Sequence, residues 1–98
     1  MSEEDQPGFE VRLRSRRVQR ELDALKGLDY ERVIVKLRSL ANTPRPPGCE
    51  KLYDTVYRVM VGGFRIIYLV DEEKRRVDIG AIRRRSEGTY KRIGTLFG

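Results

Sequence analysis

Apolar positions along the chain follow two different periods. Phe9, Val11 and Leu13 alternate with Glu10 and Arg12, which predicts a short strand over Phe9–Leu13. Val18, Leu22 and Leu25 then recur at helical spacing, with Arg16, Arg17, Arg20 and Lys26 on the outer face and Gly27 as a natural stop. Asp29 is placed to cap a second helix whose apolar positions are Tyr30, Val33, Ile34, Leu37, Leu40 and Ala41. The short link Gly27-Leu28-Asp29 makes the two helices antiparallel neighbours. Pro44-Arg45-Pro46-Pro47-Gly48 can continue neither a helix nor a ladder, and predicts a loop running on to Lys51-Leu52. Beyond it the period of two returns, predicting strands near Thr55–Val61, Phe64–Asp71 and Arg75–Ile82, with Asp71-Glu72-Glu73-Lys74 as a turn. The expected class is α+β: a helical hairpin packed on one face of a small, mainly antiparallel four-stranded sheet, in the order β-α-α-β-β-β.

Gly62-Gly63 between two of these strands reads as a two-residue hairpin loop of type I′, which needs positive φ at both central positions. Such a loop sets the register. Val61 then faces Phe64, Val59 faces Ile66 and Tyr57 faces Tyr68 on one side of the hairpin, while Met60 faces Arg65, Arg58 faces Ile67 and Val56 faces Leu69 on the other. Tyr57, Phe64 and Tyr68 share the side of Val59 and Ile66 and are assigned to the core. Arg58 and Arg65 fall on the opposite side as a diagonal pair, roughly 7 to 8 Å apart at the backbone. Two cations so placed repel unless an anion lies between them, and phosphate is the anion guanidinium groups match best.

Composition narrows the classes. With 98 residues there is room for one domain and one modest core, expected to span residues 1–98 with 1–8 flexible. The start Met1-Ser2-Glu3-Glu4-Asp5 is acidic where a secretory signal is basic and then apolar, so a cytoplasmic location is expected, with no membrane partner. One cysteine, Cys49, excludes an internal disulfide, and the absence of histidine leaves too few ligands for zinc, so no metal and no cofactor is expected. The net charge of +6 is uneven: residues 1–50 carry 10 basic and 9 acidic side chains, residues 51–98 carry 11 and 6. The excess lies with the strands and the tail, as on a face that binds nucleic acid, although small basic domains also bind acidic proteins.

Cleaving RNA without a metal requires activation of the ribose 2′-OH, stabilisation of charge on the phosphorane and a proton for the leaving 5′-oxygen. The candidates are Arg58, Arg65, Arg84, Arg85, Lys51 and Tyr90. Arginine clamps charge well but is a poor base, so the base is left among Tyr90, Lys51 and solvent. A lone strand arginine is most often a solvated side chain, and Arg83-Arg84-Arg85 fits a solvated strand end as well as a phosphate patch. Tyr53 fits a stacking residue or a loop anchor. Cys49 has no histidine to activate it and reads as a passive thiol.

The run Pro44–Leu52, followed by Tyr57-Arg58-Val59, Gly62-Gly63-Phe64-Arg65-Ile66-Ile67-Tyr68 and then Ala81-Ile82-Arg83-Arg84-Arg85 with Tyr90, resembles the RelE/ParE toxin superfamily of bacterial and archaeal toxin-antitoxin systems over nearly the whole chain. The resemblance implies a RelE-type endoribonuclease that cuts mRNA on the ribosome, leaving a 2′,3′-cyclic phosphate and a 5′-hydroxyl, and a cognate antitoxin that neutralises it. It implies catalytic roles for Arg58, Arg65, Arg85 and Tyr90, with Arg84 next in line to Arg85. Lys51, Arg83, Arg84 and Lys91 are the candidate RNA-binding cations around them. Two features depart from the RelE pattern. Met60 stands where a second basic residue is common, and the Arg85–Tyr90 spacing is one residue longer. The ParE branch shares the fold, inhibits DNA gyrase and generally lacks the nuclease residues; that activity and an inactive toxin relic are the alternative readings.

Overall fold

A computed structural model describes residues 8–86, 96 and 97. The elements are β1 (Glu10–Leu13), α1 (Arg16–Asp23), α2 (Gly27–Ser39), β2 (Glu50–Tyr53), β3 (Val56–Val61), β4 (Phe64–Asp71) and β5 (Arg76–Arg84). The class is the α+β one expected, but the sheet has five strands in the order β1-β5-β4-β3-β2. The added strand is β2, part of the segment read as a loop. It pairs antiparallel with β3, Glu50 opposite Arg58 and Lys51 opposite Tyr57, and has an irregularity before Tyr53. A four-residue edge strand with little burial carries no apolar alternation to announce it.

The β3–β4 register agrees at all six expected pairs, from Val56 opposite Leu69 to Val61 opposite Phe64. The turn differs from expectation. Only Gly62 takes positive φ, at 56°, so the loop has the sign pattern of type II′ rather than type I′, and both types suit the strand twist. β5 continues two residues past Ile82, which puts Arg83 and Arg84 on the strand, while Arg75 leaves it at φ 54°. β1 joins β5 in parallel, with Val11 opposite Val77.

Both helices lie on the sheet face that carries Val59, Ile66, Tyr68, Val70, Val77 and Ile79, and contribute Val18, Leu22, Val33 and Leu37 to one core. Gly27, expected to end the first helix, instead opens α2 with φ 56°, and Asp29 lies inside its first turn rather than at the cap. A carboxylate there still interacts favourably with the helix dipole. Among the described residues, the opposite sheet face has a small apolar centre of Val56, Ile67 and Ala81, against which Leu52, Leu69, Leu96 and Phe97 pack.

Tyr68 is fully buried and donates to the Pro44 carbonyl at 2.7 Å, which ties the proline loop to the sheet. Burial first, and then the neighbouring Cys49, push its phenol above the ordinary value. The unfolded chain loses this proton at about pH 10 while the folded chain keeps it, so stability falls as pH rises past that point. Tyr68→Phe is expected to cost about 1 kcal/mol at neutral pH through the lost hydrogen bond, and to flatten the alkaline decline. Urea titrations at several pH values measure both.

Candidate functional site

The face away from the helices gathers the arginines. Because Arg58 pairs with Ile67 and Arg65 with Met60 on β3–β4, and Arg65 with Arg83 on β4–β5, these side chains emerge on one side of the sheet, near the Gly62-Gly63 hairpin. Arg85 extends the ladder by one step, its N–H donating to the Gly63 carbonyl at 2.9 Å, and alternation returns it to the same side. Arg65 is only 7 % exposed, and its Nη2 donates to the Arg85 carbonyl at 3.0 Å. The buried guanidinium thus braces the backbone that presents Arg85.

Like charges opposite one another on adjacent strands destabilise a sheet, so the Arg65–Arg83 pairing needs a counterion. Glu21 of α1 supplies it. Its Oε2 accepts from Arg83 Nε at 3.3 Å and from Arg17 Nη1 at 2.9 Å, and its Oε1 accepts the Ile82 N–H at 2.9 Å. Arg17 in turn donates to the Gly80 carbonyl at 2.7 Å. The Arg17–Glu21 pair therefore satisfies the edge of β5 beyond the end of β1, where another strand would otherwise be needed. Glu21→Ala is expected to lower stability by about 2 kcal/mol, roughly 10 °C in melting temperature, because it strands the Ile82 N–H as well as two cations. Glu21→Gln keeps an acceptor and should lose less; thermal unfolding followed by circular dichroism compares them.

A second acid sits among the arginines. Glu50 Oε1 accepts from Arg58 Nε at 2.7 Å and lies 2.6 Å from Arg58 Nη2, so both contacts converge on one carboxylate oxygen and leave Oε2 outside the pair. Nothing local in the sequence marks Glu50, because a short exposed edge strand has the composition of a loop. Its one signal is position: eight residues before Arg58, across the Asp54-Thr55 turn, it faces Arg58 if the two segments form a hairpin.

The other sequence candidates separate. Lys51, opposite Tyr57, projects from the helix side of the sheet and does not join Arg58. Arg84, opposite Phe64, also lies on the helix side, with its guanidinium 5.2 Å from the Phe64 ring centre. It lines a cavity of about 470 Å³ with Glu21, Lys26, Asp29, Ile82 and Arg83. Tyr53 is an exposed edge residue. Cys49 is partly buried against the main core. Tyr90 and Lys91 lie outside the described residues. The site brought together is Arg58, Arg65 and Arg85, with Glu50 beside Arg58 and Met60 between Arg58 and the hairpin, whereas the Arg83 guanidinium turns to Glu21 of α1. It can hold an oxyanion in a fork of guanidinium groups and accept a proton at a carboxylate. Among the described residues no helix is long and apolar enough to cross a membrane.

The fold has solved counterparts. A chain in the crystal structure of the archaeal RelE-RelB complex from Pyrococcus horikoshii OT3 superposes with a TM-score of 0.74 at 24 % identity, covering 82 % of this chain and 98 % of that one. A chain of the toxin-antitoxin complex RelBE2 from Mycobacterium tuberculosis gives 0.69 at 21 % identity, covering 82 % and 100 %. The isolated E. coli RelE toxin gives 0.68 at 18 % identity, covering 86 % and 89 %. At these identities the likeness is one of fold. Among curated proteins, none matches the chain significantly in sequence. Residues 13–88, most of the chain and all of the elements from α1 to β5, match the family described as the ParE toxin of type II toxin-antitoxin systems, parDE. The chain therefore belongs to the ParE toxin family, within the RelE/ParE superfamily, and is a toxin of a type II toxin-antitoxin system.

Proposed function

We propose that this toxin is a metal-independent endoribonuclease that cuts mRNA, on the ribosome, to a 2′,3′-cyclic phosphate and a 5′-hydroxyl. The observation that carries the reading is the placement of Arg58, Arg65 and Arg85 on one sheet face, with Arg65 buried to brace the backbone of Arg85. A fork of this kind suits the extra negative charge that develops on phosphorus when the 2′-oxygen attacks. In that step the O2′–P bond forms and the P–O5′ bond breaks. Glu50 Oε2 takes the 2′-OH proton, because Glu50 is the carboxylate paired with Arg58 and Lys51 projects from the other face. Tyr90 is the proton donor to the leaving 5′-oxygen, an assignment that rests on the family resemblance alone. A cognate antitoxin, as in the RelE-RelB and RelBE2 complexes, is the expected partner, in the cytoplasm.

One set of observations favours a second reading, a ParE-like inhibitor of DNA gyrase that cuts nothing. The matching family is described as ParE toxin, Met60 puts an apolar side chain amid the arginines, and Glu50 neutralises Arg58. Primer extension on a reporter mRNA after brief induction separates the two. Discrete cuts inside the translated frame support the nuclease, whereas growth arrest with intact mRNA supports gyrase inhibition. Intact mRNA with normal growth would indicate an inactive relic.

A further inference from the structure

At the rim where β4 begins and β5 ends, on the helix side of the sheet, lies the cavity of about 470 Å³ that Arg84 shares with the start of α2. Its size falls within the roughly 300 to 1,000 Å³ of small-molecule pockets. Of its charged lining, Glu21 and Arg83 satisfy each other at 3.3 Å. Lys26 and Asp29 are left over: neither side chain has a hydrogen bond or ion pair among the described residues. The dipole of α2 favours an acid in the first turn, yet Asp29 is half-buried on the cavity wall rather than out in solvent. Arg84 is exposed, and its guanidinium lies 5.2 Å from the centre of the buried Phe64 ring.

We infer, resting on the nuclease reading above, that this cavity is a subsite for one nucleotide of the RNA and that guanine is the base it selects. Each part of a guanosine nucleotide meets one part of the wall. The Arg84 guanidinium, backed by Phe64, is a plane on which a base stacks. Guanine alone among the four bases carries two neighbouring donors on its Watson–Crick edge, N1–H and the N2 amino group, and the Asp29 carboxylate accepts both at once. Adenine and cytosine offer one amino donor beside an acceptor, and uracil one imino donor between two acceptors. Each of these sets a lone pair against an Asp29 oxygen. Lys26 supplies a cation for the phosphate. An acidic peptide would meet Asp29 as a like charge instead. The position also suits the reaction. Arg84 and Arg85 adjoin in sequence and project to opposite faces, and the Arg85 N–H is tied to the Gly63 carbonyl at 2.9 Å. A single strand whose scissile phosphate lies on Arg58, Arg65 and Arg85 therefore reaches the cavity by turning over that rim. Contacts made equally before and during the reaction change affinity rather than chemical rate, so the subsite selects where RNA binds and adds nothing to the clamp.

Titration of the isotope-labelled full chain with 5′-GMP, 5′-AMP, 5′-CMP and 5′-UMP, followed by NMR, reads the subsite without cleavage or a ribosome. GMP should shift the amides of Lys26, Asp29 and Ile82 with a dissociation constant on the order of 1 mM. The other three should bind there at least about 10-fold more weakly, the loss of one charge-assisted hydrogen bond. Asp29→Asn should cut that preference to less than about 3-fold, because the amide presents one acceptor where the carboxylate presents two. Lys26→Ala should weaken all four nucleotides about equally, and circular dichroism checks that both variants are folded. Equal affinity for the four nucleotides overturns the proposal. So do shifts confined to the amides around Arg58 and Arg65, or a guanine preference that survives Asp29→Asn. Primer extension judges the nuclease reading separately. Cuts in mRNA by a chain that ignores GMP would sink the subsite alone, whereas selective GMP binding by a chain that leaves mRNA intact would uphold the nucleotide site and sink the reaction.

Discussion

Arg85→Ala should lower the rate of mRNA cleavage by about 100- to 1000-fold, the loss expected when one preorganised donor to a developing oxyanion is removed. Its melting temperature should stay within about 2 °C of the parent, because the Arg85 side chain is exposed and the contacts at this position are made by its backbone. The N–H to Gly63 and the carbonyl that accepts from Arg65 both survive the substitution. Arg65→Ala is a different experiment. Its guanidinium is buried and holds the Arg85 carbonyl, so truncation removes a cation, opens a cavity and releases the strand end that presents Arg85. Activity and stability should fall together there. Arg84→Ala completes the set: one position from Arg85, it projects from the other face over Phe64, and its effect on cleavage should be far smaller. Single-turnover cleavage on programmed ribosomes, beside thermal unfolding, separates the three. Equal losses at Arg84 and Arg85 would mean that overall charge, rather than the arginine face, does the work.

That distinction between neighbours was legible in the sequence only in part. The β3–β4 hairpin was readable because two glycines fix the loop and alternation on both sides fixes the faces; Arg58 and Arg65 followed from it. Arg83 and Arg84 needed the end of β5, which the apolar pattern put at Ile82, since basic residues carry no period of their own. Glu50 and Lys51 fared worst. β2 is short, exposed and irregular, so its local sequence looks like loop, and only pairing with β3 decides that Glu50 meets Arg58 while Lys51 turns away. Glu21 illustrates the other limit: its contact with Arg83 spans 62 positions and exists because α1 packs over the uncovered edge of β5. No local pattern encodes such a contact.

Glu50→Gln should reduce cleavage by about 100- to 10,000-fold, the range over which positioned general bases act. The amide preserves the size of the side chain and an oxygen that can accept from Arg58, but it cannot take the 2′-OH proton. The gyrase reading requires the opposite. If Glu50 only neutralises Arg58, removing its charge makes the face more basic and strengthens RNA binding without creating cleavage. The two outcomes differ in sign as well as in size. Glu50→Ala also frees Arg58 from its ion pair. It should therefore bind RNA more tightly than the parent yet cleave no faster than Glu50→Gln, because binding gained equally in ground and transition states does not raise the chemical rate. An Ala variant that cleaved as fast as the parent would remove Glu50 from the mechanism and leave Arg58, Arg65 and Arg85 as a clamp whose base lies elsewhere.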